Sequence, residues 1–430
     1  MSSHESTPDA WVHPQHLVAS RQPRMWLSYV LAAVLAIIVF LATSGLLMAH
    51  SLQSSVNVSG ADKLLDRPPS DSYSGRAVNI LVLGSDSRKG AGNKIDNSEE
   101  DSDRSDTAMI VHIAKDRKSA LVVSIPRDTM VEIPPCKLSE TQSTRQQRGQ
   151  FNWAYSLGGQ NGSTDAAVGC TLTTVESVTH LHIDDYVVVD FNGFTKMIDA
   201  LGGIRVYVDQ PVHDKNTDLD LEAGCYTMNG HDALQYARVR HGVQGGDGSD
   251  LQRIGRQQHI MSIMMREAMA KNLMTSAPSL YNFARAGLSS LTTSTSLSNL
   301  STLSGLAYSL RELKPENILF LSAPVTEDPY DRNRVVFTEK ADTLWQVLAA
   351  DSTLPGGFEV KDGNSKAYTT SDPSAANNAS QSAPESNSPQ SASPTPTSSS
   401  PTPSTQPSTS APASTEDPVE AARAKCEAKG

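Results

Sequence analysis

The sequence predicts an α/β fold in which a mixed central β-sheet is flanked by helices, and three observations predict it. Short apolar runs at 78–83, 108–113 and 120–125 have the length and composition of strands. The charged tetrad Lys115-Asp-Arg-Lys118 separates the last two runs and reads as a hairpin turn, so at least one strand pair is antiparallel. Helical patterns then alternate with further strand-like runs, as in a layered sheet.

Taken in order, the chain opens with a polar segment, 1–24, that ends on Arg21 and Arg24. Residues 25–49 form an apolar run, and 26–49 contain no charged residue. A helix of that length covers roughly 30 Å, the thickness of a bilayer's hydrocarbon. The basic pair precedes the run and the first later charges are Asp62 and Lys63. The expectation is a transmembrane helix with a cytoplasmic N-terminus and the remainder outside; a cleaved signal peptide is the alternative. Residues 50–76 read as an extracellular stalk and 77–360 as the folded domain.

Within that domain, 187–191 reads as a buried strand. Residues 194–201 read as a helix stopped by Gly202 and Gly203, 232–238 as a helix, 251–269 as a long amphipathic helix and 318–321 as a late strand. From 361 to 430 the chain is rich in Ser, Thr and Pro, which cannot bury enough apolar surface to fold, so a disordered tail is expected there. Its last stretch, 417–430, is charged and could form a short helix.

The formal charge, 36 − 47 = −11, speaks against bulk attraction to nucleic acid. The four cysteines, Cys136, Cys170, Cys225 and Cys426, include no CxxC pair and no metal-site spacing. Outside the membrane they face an oxidising compartment. Cys136 and Cys170 flank the segment 145–162 and are the favoured pair; Cys225 either joins Cys426 or stays free.

The chemistry gathers after the first strand. Asp86 and Arg88 stand just past Gly84, and Asp106 enters the second apolar run. Carboxylate oxygens without His or Cys suit a hard cation such as Mg²⁺ (or Mn²⁺), and arginines beside it suit phosphate.

Five blocks then carry a family resemblance: Asn79-Ile-Leu-Val-Leu-Gly-Ser-Asp-Ser-Arg88; Arg104-Ser-Asp-Thr107; Ser124-Ile-Pro-Arg-Asp128; Val188-Val-Asp-Phe-Asn-Gly-Phe194 with Leu201-Gly-Gly203; and Ala233-Leu-Gln-Tyr-Ala-Arg-Val-Arg-His241 followed by Ser249-Asp-Leu-Gln-Arg-Ile-Gly-Arg-Gln-Gln258. In this order they resemble the LytR–CpsA–Psr family. The resemblance implies a membrane-anchored enzyme that transfers a glycan from a polyprenyl-pyrophosphate carrier to a cell-wall acceptor, usually the muramic acid hydroxyl of peptidoglycan. It implies Asp86 and Asp106 as metal ligands. It implies Arg88, Arg104, Arg127, Arg238 and Arg240, with Arg253 and Gln257 at the start of the long helix, as the pyrophosphate-binding set. Asp86, Arg104, Asp106 and Arg127 are the catalytic candidates.

Each residue also has a plainer reading. Arg127 next to Asp128 could be a local ion pair, and Asp250 reads first as the N-cap of the long helix. Arg238 and Arg240 would share one face if extended. Ile260, Met261, Ile263, Met264 and Met265 read as core before they read as the wall of a lipid channel. Asn152 and Tyr155 read as packing before they read as acceptor contacts. Two rival functions stand beside the transferase: a polyprenyl-pyrophosphate hydrolase, and a non-catalytic envelope regulator that binds lipid-linked precursors.

Overall fold

The computed structural model describes residues 34–40, 43, 45, 47, 50–54, 56–65, 73–85, 105–240, 242–244, 246, 248–270, 283, 285–287, 289, 291–371 and 418–427. The side chain of Asp106 is not among them, and Asp86, Arg88 and Arg104 lie outside the described residues altogether. The chain divides into two units, 1–51 and 52–430.

In the first unit, residues 34–40 are helical. Their apolar side chains Val34, Leu35, Ile37, Ile38, Val39 and Phe40 are all exposed. Most of the expected span 25–49 falls outside the described residues, and among the described residues no helix is long and apolar enough to cross a membrane.

The second unit is built on a nine-stranded sheet. Its strands are β1 (Asn57–Val58), β2 (Val78–Ser85), β3 (Ser105–Ile113) and β4 (Ala120–Ile125). After the hairpin of β5 (Met130–Ile133) and β6 (Gln147–Gln150) comes β7 (Asp185–Asp190). A side group follows: β8 (Ile204–Val208), β9 (Val212–Asp214), β10 (Leu219–Leu221) and β11 (Gly224–Met228). The chain returns through β12 (Leu291–Thr293), β13 (Ile318–Ser322), the hairpin β14 (Val325–Asp328) with β15 (Asp331–Phe337), β16 (Glu359–Asp362) and β17 (Ala367–Thr369). The main sheet runs β1-β12-β7-β2-β3-β4-β13-β16-β17. β2 pairs parallel with β7, and β4 with β13, while β3 lies antiparallel between β2 and β4. The sheet is therefore mixed, and β2, β4, β7 and β13 all end on one edge.

The helices are α1 (Ala61–Leu64), α2 (Trp153–Gly158), α3 (Thr164–Thr179), α4 (Phe191–Ala200), α5 (Gly230–Arg238), α6 (Asp250–Ala270), α7 (Leu300–Ser309), α8 (Glu339–Ala349) and α9 (Pro418–Glu427). Alternation along the strands sorts their side chains to two faces. Leu81, Leu83, Ile110, Leu121 and Val123 meet Val168, Leu172 and Val175 of α3 and Leu344 and Leu348 of α8. On the other face Met109, Val122 and Phe320 meet Met261 and Met265 of α6, and Val78 and Ile80 meet Leu303 and Leu306 of α7. That is a helix–sheet–helix sandwich. Ile260 and Ile263 of α6 instead close a separate core with Ile198, Val206 and Ala233. The apolar face of α6 is thus shared between two cores.

The expected boundary at 360 falls inside β16, and β17 extends the sheet to 369 because Val360 and its neighbours find ladder partners there. The end of the chain is likewise not all tail. α9 lies against β8, with Cys426 and Cys225 bonded sulfur to sulfur at 1.99 Å. The expected Cys136 and Cys170 pair is at 2.03 Å.

Candidate functional site

The strand-end edge is where the sequence motifs meet. Gly84 pairs with Thr107, but the next pair is Ser85 with Ser105, so Asp106 is an extra residue opposite the Gly84–Ser85 step. The bulge leaves the Asp106 backbone outside the regular β2–β3 pairing. Gly84 fits closely here: a Cβ on it would stand 3.0 Å from the Thr107 Cβ, so Thr107 would have to give way slightly. Ser85 also pairs in register with Asp190, whose carboxylate caps α4 by accepting from the Gly193 N–H at 2.6 Å.

Arg127 follows the end of β4. Its backbone N–H donates to Asp250 Oδ2 at 3.2 Å, and its Nε stands 3.7 Å from both Asp128 Oδ2 and Asp250 Oδ1. Asp250 Oδ1 is 2.6 Å from Arg253 Nη2, with these side chains only 10 % and 4 % exposed. On the far side of Asp128, Arg334 of β15 approaches its Oδ1 to 3.6 Å. Three guanidiniums thus share two carboxylates. Burial pushes the Asp250 carboxyl above its usual range even though Arg253 and Arg127 pull it down, so the two arginines do not fully offset its desolvation.

The local ion pair weighed for Arg127 does form, and Asp250 joins it. The structure corrects the role of Asp250: it is the first residue of α6, and the Ser249 hydroxyl accepts from the Gln252 N–H at 3.4 Å in the capping position. With Ser249 as the cap, Asp250 is free to hold Arg127 and Arg253.

α6 gathers the remaining candidates. One turn past Arg253, Gln257 Oε1 accepts from the Thr107 hydroxyl at 3.0 Å, tying the helix to the residue beside the bulge. Gln258 donates to the Ser124 hydroxyl at 2.8 Å. Arg256 donates to the carbonyl of Val239, the residue between Arg238 and Arg240. Its role is therefore to dock that segment on α6.

Arg238 is the last residue of the expected helix, α5, and Val239 leaves it at φ −51° and ψ 127°, so Arg238 and Arg240 do not lie in one extended stretch. The Arg238 guanidinium stacks 4.9 Å over the Phe191 ring, at the start of α4 and next to the Asp190–Ser85 pair. The Arg240 N–H donates to Asp214 Oδ2 at 3.3 Å.

Arg127, Arg253 and Gln257 are brought to one edge by α6 and its contacts, and Arg256 docks the backbone between Arg238 and Arg240 on the same helix. Tyr155 and Asn152 are buried, and Ser85 at the end of β2 donates to the Tyr155 hydroxyl at 3.3 Å. Ile260, Met261, Ile263, Met264 and Met265 are core contacts. Arg334 was missed because nothing in its own segment signals it; only the fold brings β15 to Asp128. The residue beside Arg104-Ser-Asp, Thr107, was within a quoted motif, but its bond to Gln257 is purely tertiary.

Among the described residues no group of three or more His, Cys, Asp or Glu is placed to hold a metal ion, and neither Asp86 nor the Asp106 side chain enters that comparison.

A model of the LytR_cpsA_psr family matches residues 47–351. The chain belongs to the LytR_cpsA_psr family. Among curated relatives, the cell wall biosynthesis protein LcpA of Corynebacterium glutamicum is 28 % identical, over 63 % of this chain and 54 % of that protein. The polyisoprenyl-teichoic acid–peptidoglycan teichoic acid transferase TagU of Oceanobacillus iheyensis is 32 % identical, over 47 % of this chain and 54 % of that protein. The chain spans about half the length of these relatives. Among solved structures, protein gbs0355 of Streptococcus agalactiae is 20 % identical with a TM-score of 0.50, covering 69 % of this chain and 92 % of that one. That likeness places the LytR_cpsA_psr domain in the same mixed α/β fold.

Proposed function

We propose that this LytR_cpsA_psr protein transfers a glycopolymer from a polyprenyl-pyrophosphate carrier to a cell-wall acceptor, with a peptidoglycan hydroxyl as the nucleophile. The observation that carries the reading is the pairing of Arg127 and Arg253 on Asp250 at the strand-end edge, beside the Asp106 bulge. The names of the relatives, a cell wall biosynthesis protein and a teichoic acid transferase, support it.

In this mechanism Arg127 and Arg253 turn from Asp250 to the pyrophosphate oxygens, which guanidinium forks grip bidentately. Arg238 and Arg240, held on α6 through Arg256, add charge from the other flank, and Arg88 and Arg104 are assigned to the same ligand. Asp86 and Asp106 are the residues that would hold Mg²⁺ (or Mn²⁺), which supplies charge neutralisation at the phosphates. The acceptor hydroxyl oxygen attacks the phosphorus that bears the glycan, and its proton passes to the departing phosphate. The bond from that phosphorus to the bridging oxygen breaks, polyprenyl phosphate leaves, and a phosphodiester remains. Fixed cations near the transferring phosphorus lower the barrier because they need no reorganisation as charge develops.

The apolar run 25–49 and the exposed apolar helix at 34–40 support a single-pass membrane anchor, with the N-terminus cytoplasmic and the domain outside.

The test is mass spectrometry of glycan–peptidoglycan linkage units from cells carrying the wild type, Arg127→Ala or Asp106→Ala. Loss of one phosphodiester-linked polymer in both variants is expected. Normal linkage in either variant would refute the assignment, and release of phosphate without linkage would make the protein a hydrolase.

A further inference from the structure

The edge of the sheet opposite the strand-end site carries a groove of its own. The segment that leads into β2, the turn between β3 and β4, and one face of α7 enclose a volume of about 630 Å³. Lys115 and Arg117 supply its charge, Tyr73 and Ser296 form one wall, and Ser301 and Thr302 stand on the other. Among the described residues no carboxylate lines it. The eight residues of β2 lie between this groove and the Asp106 bulge, roughly 25 Å of strand, so the groove is not part of the site already described.

The acids around the groove are engaged elsewhere. Asp185 is 1 % exposed and accepts from the Ser294 hydroxyl at 2.6 Å and from the hydroxyls of Tyr73 and Ser296, which it holds in the wall. Asp184 is ion-paired with Arg76 at 2.6 Å, its own side chain 2 % exposed. Asp351 accepts the Lys115 N–H at 3.0 Å and stands 3.1 Å from His112 Nε2. Asp62 accepts the Thr295 N–H at 3.4 Å. Asp116 accepts the Lys118 N–H at 2.8 Å and lines a separate cavity on the other side of Lys115.

Arg117 is held in place without being neutralised. Its backbone has φ +60°, a conformation that Gly or Asn adopts at lower cost than Arg. Its guanidinium donates to two carbonyls, that of Ala114 at 2.9 Å and that of Tyr73. A guanidinium has five N–H donors, so the fork keeps donors for an anion. A fixed arginine and a lysine between hydroxyl-bearing walls suit a phosphate.

The chain's own course points to the source of that phosphate. Gln53 donates to the Ser298 carbonyl at 2.8 Å, three residues before Ser301. The apolar run ends at Ala49, so four residues, at most about 14 Å of extended chain, separate its end from Gln53. Where the run spans a bilayer, the groove stands close to the headgroup layer, whose phosphates belong to lipids. Tyr308 of α7, one residue before the groove-lining Ser309, is 64 % exposed, as suits an aromatic side chain at that level.

We propose that Lys115 and Arg117, with the hydroxyls of Ser301 and Thr302, bind the phosphate of an anionic phospholipid headgroup and so dock the domain on the bilayer; the lipid source rests on the single-pass anchor proposed above. The experiment uses the full chain in a neutral detergent. Dihexanoyl phosphatidylglycerol is titrated calorimetrically into wild type, Lys115→Gln, Arg117→Asn and Arg117→Lys, with dihexanoyl phosphatidylcholine, glycerol 3-phosphate and inorganic pyrophosphate titrated in parallel. Wild type should bind the anionic lipid saturably and the zwitterionic lipid at least tenfold more weakly. Arg117→Asn should weaken binding of the anionic lipid about tenfold, Lys115→Gln several-fold, and Arg117→Lys should restore part of the loss. Asn suits the backbone at φ +60°, so Arg117→Asn should melt close to the wild type, which separates lost recognition from lost folding. Pyrophosphate binding should stay unchanged in all three variants. Wild-type affinity for the anionic lipid in Arg117→Asn would overturn the site. Glycerol 3-phosphate bound as tightly as the lipid would overturn the lipid assignment and leave a site for soluble phosphates. Failure of the anchor reading is separate: it would appear as a full chain that alkaline washing strips from membranes, whatever the headgroup binding in detergent.

Discussion

Asp250 stands 2.6 Å from Arg253 and 3.7 Å from Arg127, so one buried carboxylate faces two largely buried guanidiniums. Removing it takes one carboxylate from each guanidinium in a largely buried site, while Asp128 still stands 3.7 Å from Arg127. Breaking such a pair costs about 3–5 kcal/mol. Asp250→Ala should therefore lower the melting temperature sharply. The excess positive charge should also attract a replacement anion, and a ligand that binds only the folded state stabilises it. Pyrophosphate should raise the melting temperature of Asp250→Ala more than that of the wild type. Equal shifts would mean that Arg127 and Arg253 do not form the phosphate site.

Thr107 and Gln257 link β3 to α6 through one hydrogen bond of 3.0 Å. A neutral bond of this type contributes about 0.5–1.5 kcal/mol. A double-mutant cycle with Thr107→Val and Gln257→Leu should show coupling of about that size in chemical denaturation. It should also show the two single variants losing pyrophosphate affinity together. Additive effects would separate Gln257 from the bulge beside Asp106.

Much of this edge was legible before the fold was known. The runs of β2, β3 and β4 are apolar almost throughout, which suits strands covered by helices on both faces, and the hairpin at 115–118 joins β3 and β4 as read. The arginines of α6 and α5 were found because their motifs are dense. The bulge at Asp106 was not legible, since an extra residue exists only relative to a partner strand. Ser249 and Asp250 are both good caps, and only the contact with Arg127 decides between them. β15 reads Asp-Arg-Asn-Arg at its start, polar on both faces, so no apolar alternation announced it. α9 has too little apolar surface to fold alone and depends on Cys225 and charged contacts far upstream.

Gly230 opens α5 against α4, and a Cβ there would lie 2.2 Å from the Thr195 carbonyl oxygen. That oxygen belongs to helix backbone and cannot swing aside. Gly230→Ala should therefore force the helices apart, at a cost of about 1–3 kcal/mol or more. Because α5 ends in Arg238, the shift should also weaken pyrophosphate binding. Arg238→Ala is the contrast: affinity should fall while the melting temperature moves little, because its guanidinium lies on the Phe191 face rather than in the core. Thermal melts and calorimetry on both variants check the pair, and a Gly230→Ala protein with wild-type stability would contradict the close approach.

Glu427 of α9 is held by His259 at 2.6 Å and by Arg266, both on α6, so the C-terminal helix grips the helix that carries Arg253 and Gln257. Burial alone would raise this carboxyl. Hydrogen bonds and charge from His259 and Arg266 outweigh burial and leave it below its ordinary value of 4.5. A carboxylate depressed on folding stabilises the folded state above its unfolded pKa, and that stability is lost as pH falls through the folded value. Glu427→Gln should thus be less stable than the wild type at neutral pH, by about 1.5–3 kcal/mol for charge-assisted hydrogen bonds. The gap should close as pH drops below about 4.5. The Cys225–Cys426 bond keeps α9 tethered, so faster amide exchange should be confined to 418–427 and the facing turns of α6. A gap in melting temperature that stays constant from neutral to acid pH would show that Glu427 contributes by packing rather than by charge.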